Sequence, residues 1–225
     1  MNVRSWKNMT IKGLILDLDG TTVSTLEDIQ DSINQTLKQN GFPERSYEDV
    51  RMAVGNGSLN LIRKTAPEGL DEERIQELLK QYIVIYSNGY NIKSRAYDGV
   101  YDLLHELQEK GILLAVNSNK PDHLTKALIT ECFPGITFVE VMGDHKDRPK
   151  KPDPTGANQL AEIMRLNKEE ILYVGDSETD IATAKNAGMK SIGCLWGFRD
   201  RETLTEAGAD YIVSEPAEIL KYLGE

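Results

Sequence analysis

The hydrophobic residues in the second half of the chain predict short buried strands that alternate with helices. Apolar runs typical of such strands occupy residues 112–116, 138–142, 171–174, 191–195 and 211–213. Apolar residues with helical spacing fill the segments between them, at 122–132, 155–166, 178–187 and 201–207. Short strands joined by helices form a mostly parallel sheet with helices on both faces. The pattern therefore predicts an α/β fold.

The first half of the chain begins with one more apolar strand and then changes character. Residues 14–16 form an apolar run, whereas helical spacing without a convincing strand marks residues 27–39, 47–54, 58–66 and 71–87. Turns that contain glycine or proline separate these four helical segments. We therefore predict a four-helix cap inserted after the first strand, with the cap at residues 24–96 and the core at residues 1–23 and 97–225.

Composition and charge argue against several classes of function. The 225 residues carry a net charge of −10, which disfavours nucleic acid as a partner but not a small anionic substrate. No apolar stretch approaches the ~18 to 20 residues of a membrane span, and residues 1–12 lack the apolar segment of a signal peptide. The 2 cysteines are too few for a disulfide framework and indicate reduced thiols. We expect a cytoplasmic protein with no membrane partner.

Two carboxylates follow the first strand directly. Asp17 and Asp19 are two residues apart, so both side chains lean to one side of the strand end if the strand geometry continues. Like charges this close repel each other unless a cation lies between them or one carboxylate takes a proton, and Mg2+ prefers oxygen ligands. In a phosphoryl transfer, Asp17 would be the nucleophile and a metal ligand, Asp19 the general acid and then the base, and Gly20 would allow close approach of the phosphate. The alternative is an ordinary Asp-Gly turn.

Three further polar groups follow predicted strands, and each has an ordinary structural alternative. Ser118 and Asn119 suit a phosphate oxygen but also suit a helix N-cap. Lys151, between prolines, can stabilise an aspartyl-phosphate or lie in a solvated loop. Asp176 is placed to complete a carboxylate Mg2+ site with Asp180 supporting it from behind, or the two belong to an acidic helix start. Four such groups in one order favour a single shared site.

These groups resemble the four motifs of the haloacid dehalogenase superfamily of phosphohydrolases. The matching segments are Asp17-Leu18-Asp19-Gly20-Thr21, Ser118-Asn119, Lys151 within Lys-Pro-Asp-Pro, and Gly175-Asp176-Ser177-Glu178-Thr179-Asp180. The resemblance implies a Rossmann-like core with a helical cap, and Mg2+ held by Asp17, the carbonyl of Asp19 and Asp176. It also implies that the substrate is bound by Gly20, Thr21, Ser118 and Asn119, with Asp17, Asp19 and Lys151 as the catalytic residues and Asp180 behind them.

Within the superfamily the chain looks like the phosphoglycolate phosphatases and their close relatives. Val54-Gly55-Asn56-Gly57 is similar to a loop that those enzymes use near the substrate, and Asn56 is a candidate to bind a substrate carboxylate, the alternative being a plain turn. The chain has Ser24-Thr25 and Asp98-Gly99 where the family often has Asp-Ser and Pro-Gly, so the precise substrate is less defined than the chemistry. The resemblance implies a Mg2+-dependent phosphatase acting on a small phosphorylated metabolite through an aspartyl-phosphate, as a monomer or homodimer.

Other functions on the same core stay open. A phosphosugar mutase or a pyrophosphatase would need the same aspartates, whereas a haloalkanoate dehalogenase would not need Asp19 or a metal cluster. A non-catalytic module that binds phosphoesters would be expected to lose the nucleophile, the lysine or a metal carboxylate. None of these is lost in this sequence.

Overall fold

In the computed structural model, which describes residues 10–224, strands and helices alternate along most of the chain. The strands are β1 (Gly13–Leu16), β2 (Val23–Ser24), β3 (Arg95–Ala96), β4 (Leu113–Pro121), β5 (Glu140–Asp144), β6 (Ile171–Gly175), β7 (Lys190–Cys194) and β8 (Tyr211–Val213). The α-helices are α1 (Leu26–Gln39), α2 (Tyr47–Ala53), α3 (Gly57–Thr65), α4 (Glu72–Gly89), α5 (Val100–Glu109), α6 (Asp122–Cys132), α7 (Thr155–Met164), α8 (Glu178–Ala187) and α9 (Arg201–Glu206). Stretches of 3-10 helix cover Lys168–Glu170 and Pro216–Tyr222.

Six strands form one parallel sheet in the order β5-β4-β1-β6-β7-β8, which confirms the predicted Rossmann-like α/β fold. β1 lies in the middle and is buried at every residue. Its side chains alternate between two faces: Leu14 and Leu16 pack in a cluster with Leu104 of α5, whereas Ile15 packs in another with Leu160 of α7. Helices therefore cover both faces of the sheet, and we call this unit the sheet core.

Helices α1 to α4 follow β1 along the chain and form a separate group, which we call the helical insertion (residues 26–89). Its apolar side chains, among them Ile33, Ile62 and Leu78, form a cluster of their own, which Leu124 and Phe198 join from the sheet core. Strands β2 and β3 pair antiparallel where the chain leaves the sheet core and returns to it. The sequence did not predict this ribbon, because two-residue strands carry no periodicity.

Strand β4 extends beyond the apolar run that predicted it, through four polar residues that lie buried at 117–120. Polar residues usually end a buried strand in sequence-based prediction. Here they have partners: the Asn117 amide donates to the Tyr173 hydroxyl at 3.1 Å, and Lys120 pairs with Asp19. Buried polar groups with satisfied hydrogen bonds are compatible with the strand. The next strand, β5, is shifted from the predicted 138–142 to Glu140–Asp144.

Three expectations from composition concern the whole chain. Cys132 and Cys194 are free thiols, as expected. Among residues 10–224, no helix has both the length and the apolar character needed to cross a membrane. The expectation that residues 1–12 contain no signal peptide falls mostly outside the described residues.

Candidate active site

The polar residues predicted at different strand ends meet at one edge of the sheet. β1, β4 and β6 are parallel neighbours, so their carboxyl ends lie side by side, which is where open α/β sheets place their ligands. One cavity at this edge is lined by five of the predicted residues: Asp17, Asp19, Ser118, Asn119 and Asp176. The helical insertion forms the opposite wall of the cavity, with apolar and aromatic side chains that include Ile29, Leu61, Tyr82 and Tyr86.

Lys151 lies behind the nucleophile candidate and is almost fully buried. Its ammonium is 2.8 Å from Asp17 Oδ1 and 2.7 Å from Asp180 Oδ1, and its side chain is 3% exposed. Burial lowers the pKa of Lys151, but the carboxylates of Asp17 and Asp180 outweigh that effect and hold the pKa well above its ordinary value. The lysine is therefore a permanent cation in contact with Asp17, and the alternative of a solvated loop lysine is wrong.

Asp180 is held in place by the start of α8. Its Oδ2 accepts hydrogen bonds from the Ser177 hydroxyl at 2.6 Å and the Ser177 N–H at 3.1 Å, while Oδ1 accepts from Lys151. Ser177 is the N-cap of α8 and forms a capping box with Asp180, so the acidic helix start that the sequence offered as an alternative is present as well. The cap fixes the carboxylate that orients the lysine, and the two interpretations describe one arrangement.

Asp176 is held on both oxygens by protein groups. The Thr21 hydroxyl donates to Oδ1 at 2.9 Å, and the Phe198 N–H donates to Oδ2 at 2.8 Å. Gly197 lies directly against this carboxylate, because a Cβ there would come within 2.3 Å of both the Asp176 Cβ and the Gly20 carbonyl oxygen. The structure thus places Thr21 and Gly20, both predicted to bind substrate, against the candidate metal carboxylate.

The acidic side chains at the site carry more negative charge than the lysine balances. Oxygens of Asp17, Asp176 and Asp180 all lie within 4.8 Å of one another, and all three residues are buried. Burial, followed by the charge of Asp180, raises the pKa of Asp17 well above its ordinary value and that of Asp176 to about 7. Without a bound cation the cluster therefore holds a proton more tightly than isolated carboxylates do. A hard divalent cation fits this set of oxygen donors. Asp180 is the third member of the cluster, whereas the predicted third ligand was the carbonyl of Asp19.

Asp19 contacts residues that the sequence reasoning left without a role. Its Oδ1 accepts from the Thr25 hydroxyl at 2.6 Å and from the Lys120 ammonium at 3.0 Å. Lys120 also donates to the hydroxyl of Tyr86, which belongs to α4 of the helical insertion. Lys120 directly follows Ser118-Asn119 in the sequence, and its N–H donates to the Ser118 hydroxyl at 3.2 Å, so its place beside the second motif is the signal that could have found it.

The loop before α3 is joined to the sheet core by two amide side chains. Asn119 Nδ2 donates to the carbonyl oxygens of Gly55 and Lys151, each at 3.1 Å, and its Oδ1 accepts from the Lys151 N–H at 2.9 Å. Asn56 Oδ1 accepts from the Thr179 hydroxyl at 2.8 Å. Asn56 and Asn119, both predicted to bind substrate, therefore also hold the helical insertion against the sheet core.

Arg199, which the sequence reasoning missed, makes further contacts between the two units. Its guanidinium donates to the carbonyl oxygens of Arg51 at 2.9 Å and Val54 at 3.0 Å, and to Glu178 at 2.9 Å. Arg51 in turn donates to the carbonyl of Phe198. We refer to the contacts of Asn56, Asn119 and Arg199 across the two units as the seam. A lone arginine in a polar segment carries no periodic signal, so the sequence did not point to it.

Comparisons with known proteins agree with this geometry. The family model described as haloacid dehalogenase-like hydrolase matches residues 14–194. A phosphoglycolate phosphatase of Vibrio parahaemolyticus is 31% identical over 217 residues, which cover 94% of this chain and 95% of that protein. One of Vibrio cholerae is 32% identical and covers 94% of this chain and 96% of that protein. A crystal structure from Lactobacillus delbrueckii subsp. bulgaricus has a TM-score of 0.90 at 28% identity, covering 96% of this chain and 99% of that one.

Proposed function

The chain belongs to the haloacid dehalogenase-like hydrolase family, and from this premise we propose that it is a Mg2+-dependent phosphatase for small phosphomonoesters of the phosphoglycolate type. The observation that carries the proposal is the contact of Lys151 with both Asp17 and Asp180, because Asp17 lines a cavity together with Asp19 and Asp176. The phosphoglycolate phosphatases among its relatives support the substrate class.

Asp17, Asp176 and the backbone carbonyl of Asp19 are the groups we propose to hold Mg2+. The excess negative charge of the buried carboxylates supports this assignment. When bound, the ion would neutralise charge on the phosphoryl oxygens and keep Asp17 ionised. Asp180 is not among the described residues that line the cavity, and its carboxylate contacts Lys151 and Ser177, so we assign it to positioning the lysine.

In the first step, a carboxylate oxygen of Asp17 attacks phosphorus and the bond from phosphorus to the leaving oxygen breaks. Asp19 donates its proton to that oxygen, so the product leaves as an alcohol. Lys151, the Ser118 hydroxyl and backbone N–H groups at the sheet edge stabilise the equatorial oxygens. The product of this step is an aspartyl-phosphate on Asp17.

In the second step, Asp19 now acts as the base. It takes a proton from water, whose oxygen attacks phosphorus, and the bond from phosphorus to Asp17 breaks. Inorganic phosphate leaves, and both aspartates return to their starting protonation states. One pair of carboxylates thus serves both halves of the reaction.

We assign the helical insertion the role of a cap that covers the site. The cavity has a volume of about 50 Å3, which is enough to hold water. A small ester fits such a space when the cap moves to admit it, and a closed cap excludes bulk water that would compete in the reaction. The contacts at the seam support the closed arrangement.

The test is phosphate release from a panel of phosphomonoesters, pyrophosphate and a hexose 1-phosphate, with Mg2+ and with EDTA. We expect Mg2+-dependent release with 2-phosphoglycolate among the best substrates, and a loss of at least ~1,000-fold in Asp17→Asn. Circular dichroism and thermal unfolding of Asp17→Asn serve as controls for folding. Undiminished release by Asp17→Asn would contradict the mechanism, and isomerisation of the hexose phosphate without phosphate release would identify a mutase instead.

A further inference from the structure

We propose that Lys120 recognises a carboxylate on the substrate carbon bonded to the scissile ester oxygen, so that the site selects phosphomonoesters of 2-hydroxy acids. This inference rests on the proposed function and assigns its specificity to one residue. Lys120 comes from β4, in the sheet core, and reaches the cavity between Asp19 and the aromatic wall of the helical insertion.

The first argument is the scarcity of positive charge facing the cavity. Among the described residues that line it, Lys120 is the one basic side chain. Lys151 is already in contact with Asp17 and Asp180, and the Arg199 guanidinium is engaged by two backbone carbonyls and Glu178. A second anionic group on the substrate therefore has one basic partner within the described cavity wall.

The second argument is the position of the ammonium relative to the leaving oxygen. Lys120 Nζ is 3.0 Å from Asp19 Oδ1, and Asp19 is the group assigned to protonate the leaving oxygen. In a 2-hydroxy acid phosphate, the carboxyl carbon is two bonds of ~1.5 Å from that same oxygen. A substrate within reach of Asp19 thus brings its carboxylate close to Lys120. A neutral substituent at this carbon gains nothing from the ammonium.

The third argument is the surroundings of Lys120. Its side chain is 2% exposed, and its ammonium lies 4.5 Å from the centre of the Tyr86 ring, which stacks on Tyr82 with centroids 5.4 Å apart. Of its three N–H groups, the described residues accept bonds from two, through Asp19 and Tyr86. A buried ammonium gains most from an additional anionic acceptor, because few waters screen the interaction.

Tyr86 makes this recognition depend on the helical insertion. Its hydroxyl accepts from Lys120, so the ammonium is held from the sheet core on one side and from α4 on the other. When Asp19 turns to the leaving oxygen, the substrate carboxylate takes its place beside the ammonium. The carboxylate, Lys120 and Tyr86 then form one set of contacts across the cavity.

The experiment compares 2-phosphoglycolate with ethyl phosphate, which carries a methyl group in place of the carboxylate. We expect the wild-type protein to prefer 2-phosphoglycolate, and Lys120→Met to lower kcat/KM for it by ~100-fold more than for ethyl phosphate, whose own smaller loss measures the effect of the missing contact with Asp19. Lys120→Arg should restore part of the preference, since it returns the charge. Tyr86→Phe, which keeps the ring and removes the hydroxyl, should lower 2-phosphoglycolate turnover less than Lys120→Met does.

The outcomes separate this inference from the proposed function. Equal losses on both substrates in Lys120→Met would overturn it, because the lysine would then act only through Asp19. Wild-type hydrolysis of both substrates at equal efficiency would also overturn it while leaving the phosphatase intact, whereas no hydrolysis of either would overturn both. Calorimetry on the wild-type protein needs no variant: 3-phosphonopropionate should bind at least ~10-fold more tightly than propylphosphonate, and equal binding would contradict the inference.

Discussion

The sheet core and the helical insertion line the same cavity with different kinds of groups. On the sheet side, charged side chains form ion pairs with one another, as Lys151 does with Asp17 and Asp180. On the insertion side, the contacts at the seam are mostly backbone carbonyls, those of Arg51, Val54 and Gly55, which accept hydrogen bonds from side chains of the sheet core.

This difference indicates that the sheet core carries the reactive groups, whereas the helical insertion controls access to the cavity. Carboxylates and the lysine can transfer a phosphoryl group and neutralise charge, whereas a carbonyl that accepts a hydrogen bond can only hold one unit against the other. We therefore expect substitutions in the sheet core to lower kcat, and substitutions at the seam to act mainly through KM and the mobility of the insertion.

The strongest way to break the comparison is to remove the charge of Lys151. Lys151→Met leaves Asp17 and Asp180 without their shared cation, and we expect kcat for 2-phosphoglycolate to fall by ~1,000-fold at saturating Mg2+. Lys150→Met is the matched control, because the neighbouring lysine has a side chain that is 41% exposed and pairs with Asp144 at 2.8 Å. A comparable loss in Lys150→Met would show that the wrong lysine has been assigned.

The seam is tested by Arg199→Met, which removes three hydrogen bonds, two of them to carbonyls of the helical insertion. We expect kcat/KM to fall by about 10- to 100-fold, chiefly through a higher KM, together with faster proteolysis within residues 40–57. Arg201→Met is the control, since Arg201 is exposed at the start of α9. A fall in kcat with KM unchanged would contradict this, because Arg199 would then act on the chemical step as the charged groups of the sheet core do.

The same contrast explains how far the sequence could predict the molecule. Asp17 and Asp176 could be found because each directly follows an apolar strand, and parallel strands bring their ends together. Lys120 was harder, since it lies inside β4 and its partner Tyr86 comes from a different unit. Arg199 contacts Val54 across 145 residues of sequence, and no periodicity connects the two. The sequence indicates which residues come together where local pattern and sheet geometry act together, and it carries little signal for contacts made where the two units meet.

A pH titration of the metal-free protein examines the sheet core alone. Burial, followed by Asp180, raises the pKa of Asp176 to about 7, far above the value in an unfolded chain, so the folded state binds this proton more tightly. That stabilisation is fully present below the unfolded pKa and is lost as the pH rises through about 7.

Between pH 8 and pH 6 in EDTA, we expect the free energy of unfolding to increase by about 1 kcal/mol and Tm to rise by about 2–4 °C. Saturating Mg2+ should remove this dependence, and Asp176→Asn, which has no proton to gain at this position, should reduce it. If the Tm of the metal-free protein instead falls as the pH is lowered from 8 to 6, the carboxylate cluster is not the dominant titrating group.

The smallest expected effect is that of Asn56, whose side chain makes one hydrogen bond between the two units. Its amide oxygen is taken by the Thr179 hydroxyl at 2.8 Å, so we expect Asn56→Ala to act by loosening the loop before α3. The loss in kcat/KM should be about threefold, equal for 2-phosphoglycolate and ethyl phosphate, and largely absent when Thr179→Val is already present, because both substitutions remove the same bond. A loss confined to 2-phosphoglycolate would mean that the amide contacts the substrate carboxylate directly, and the helical insertion would then supply a recognition group as well as a cover.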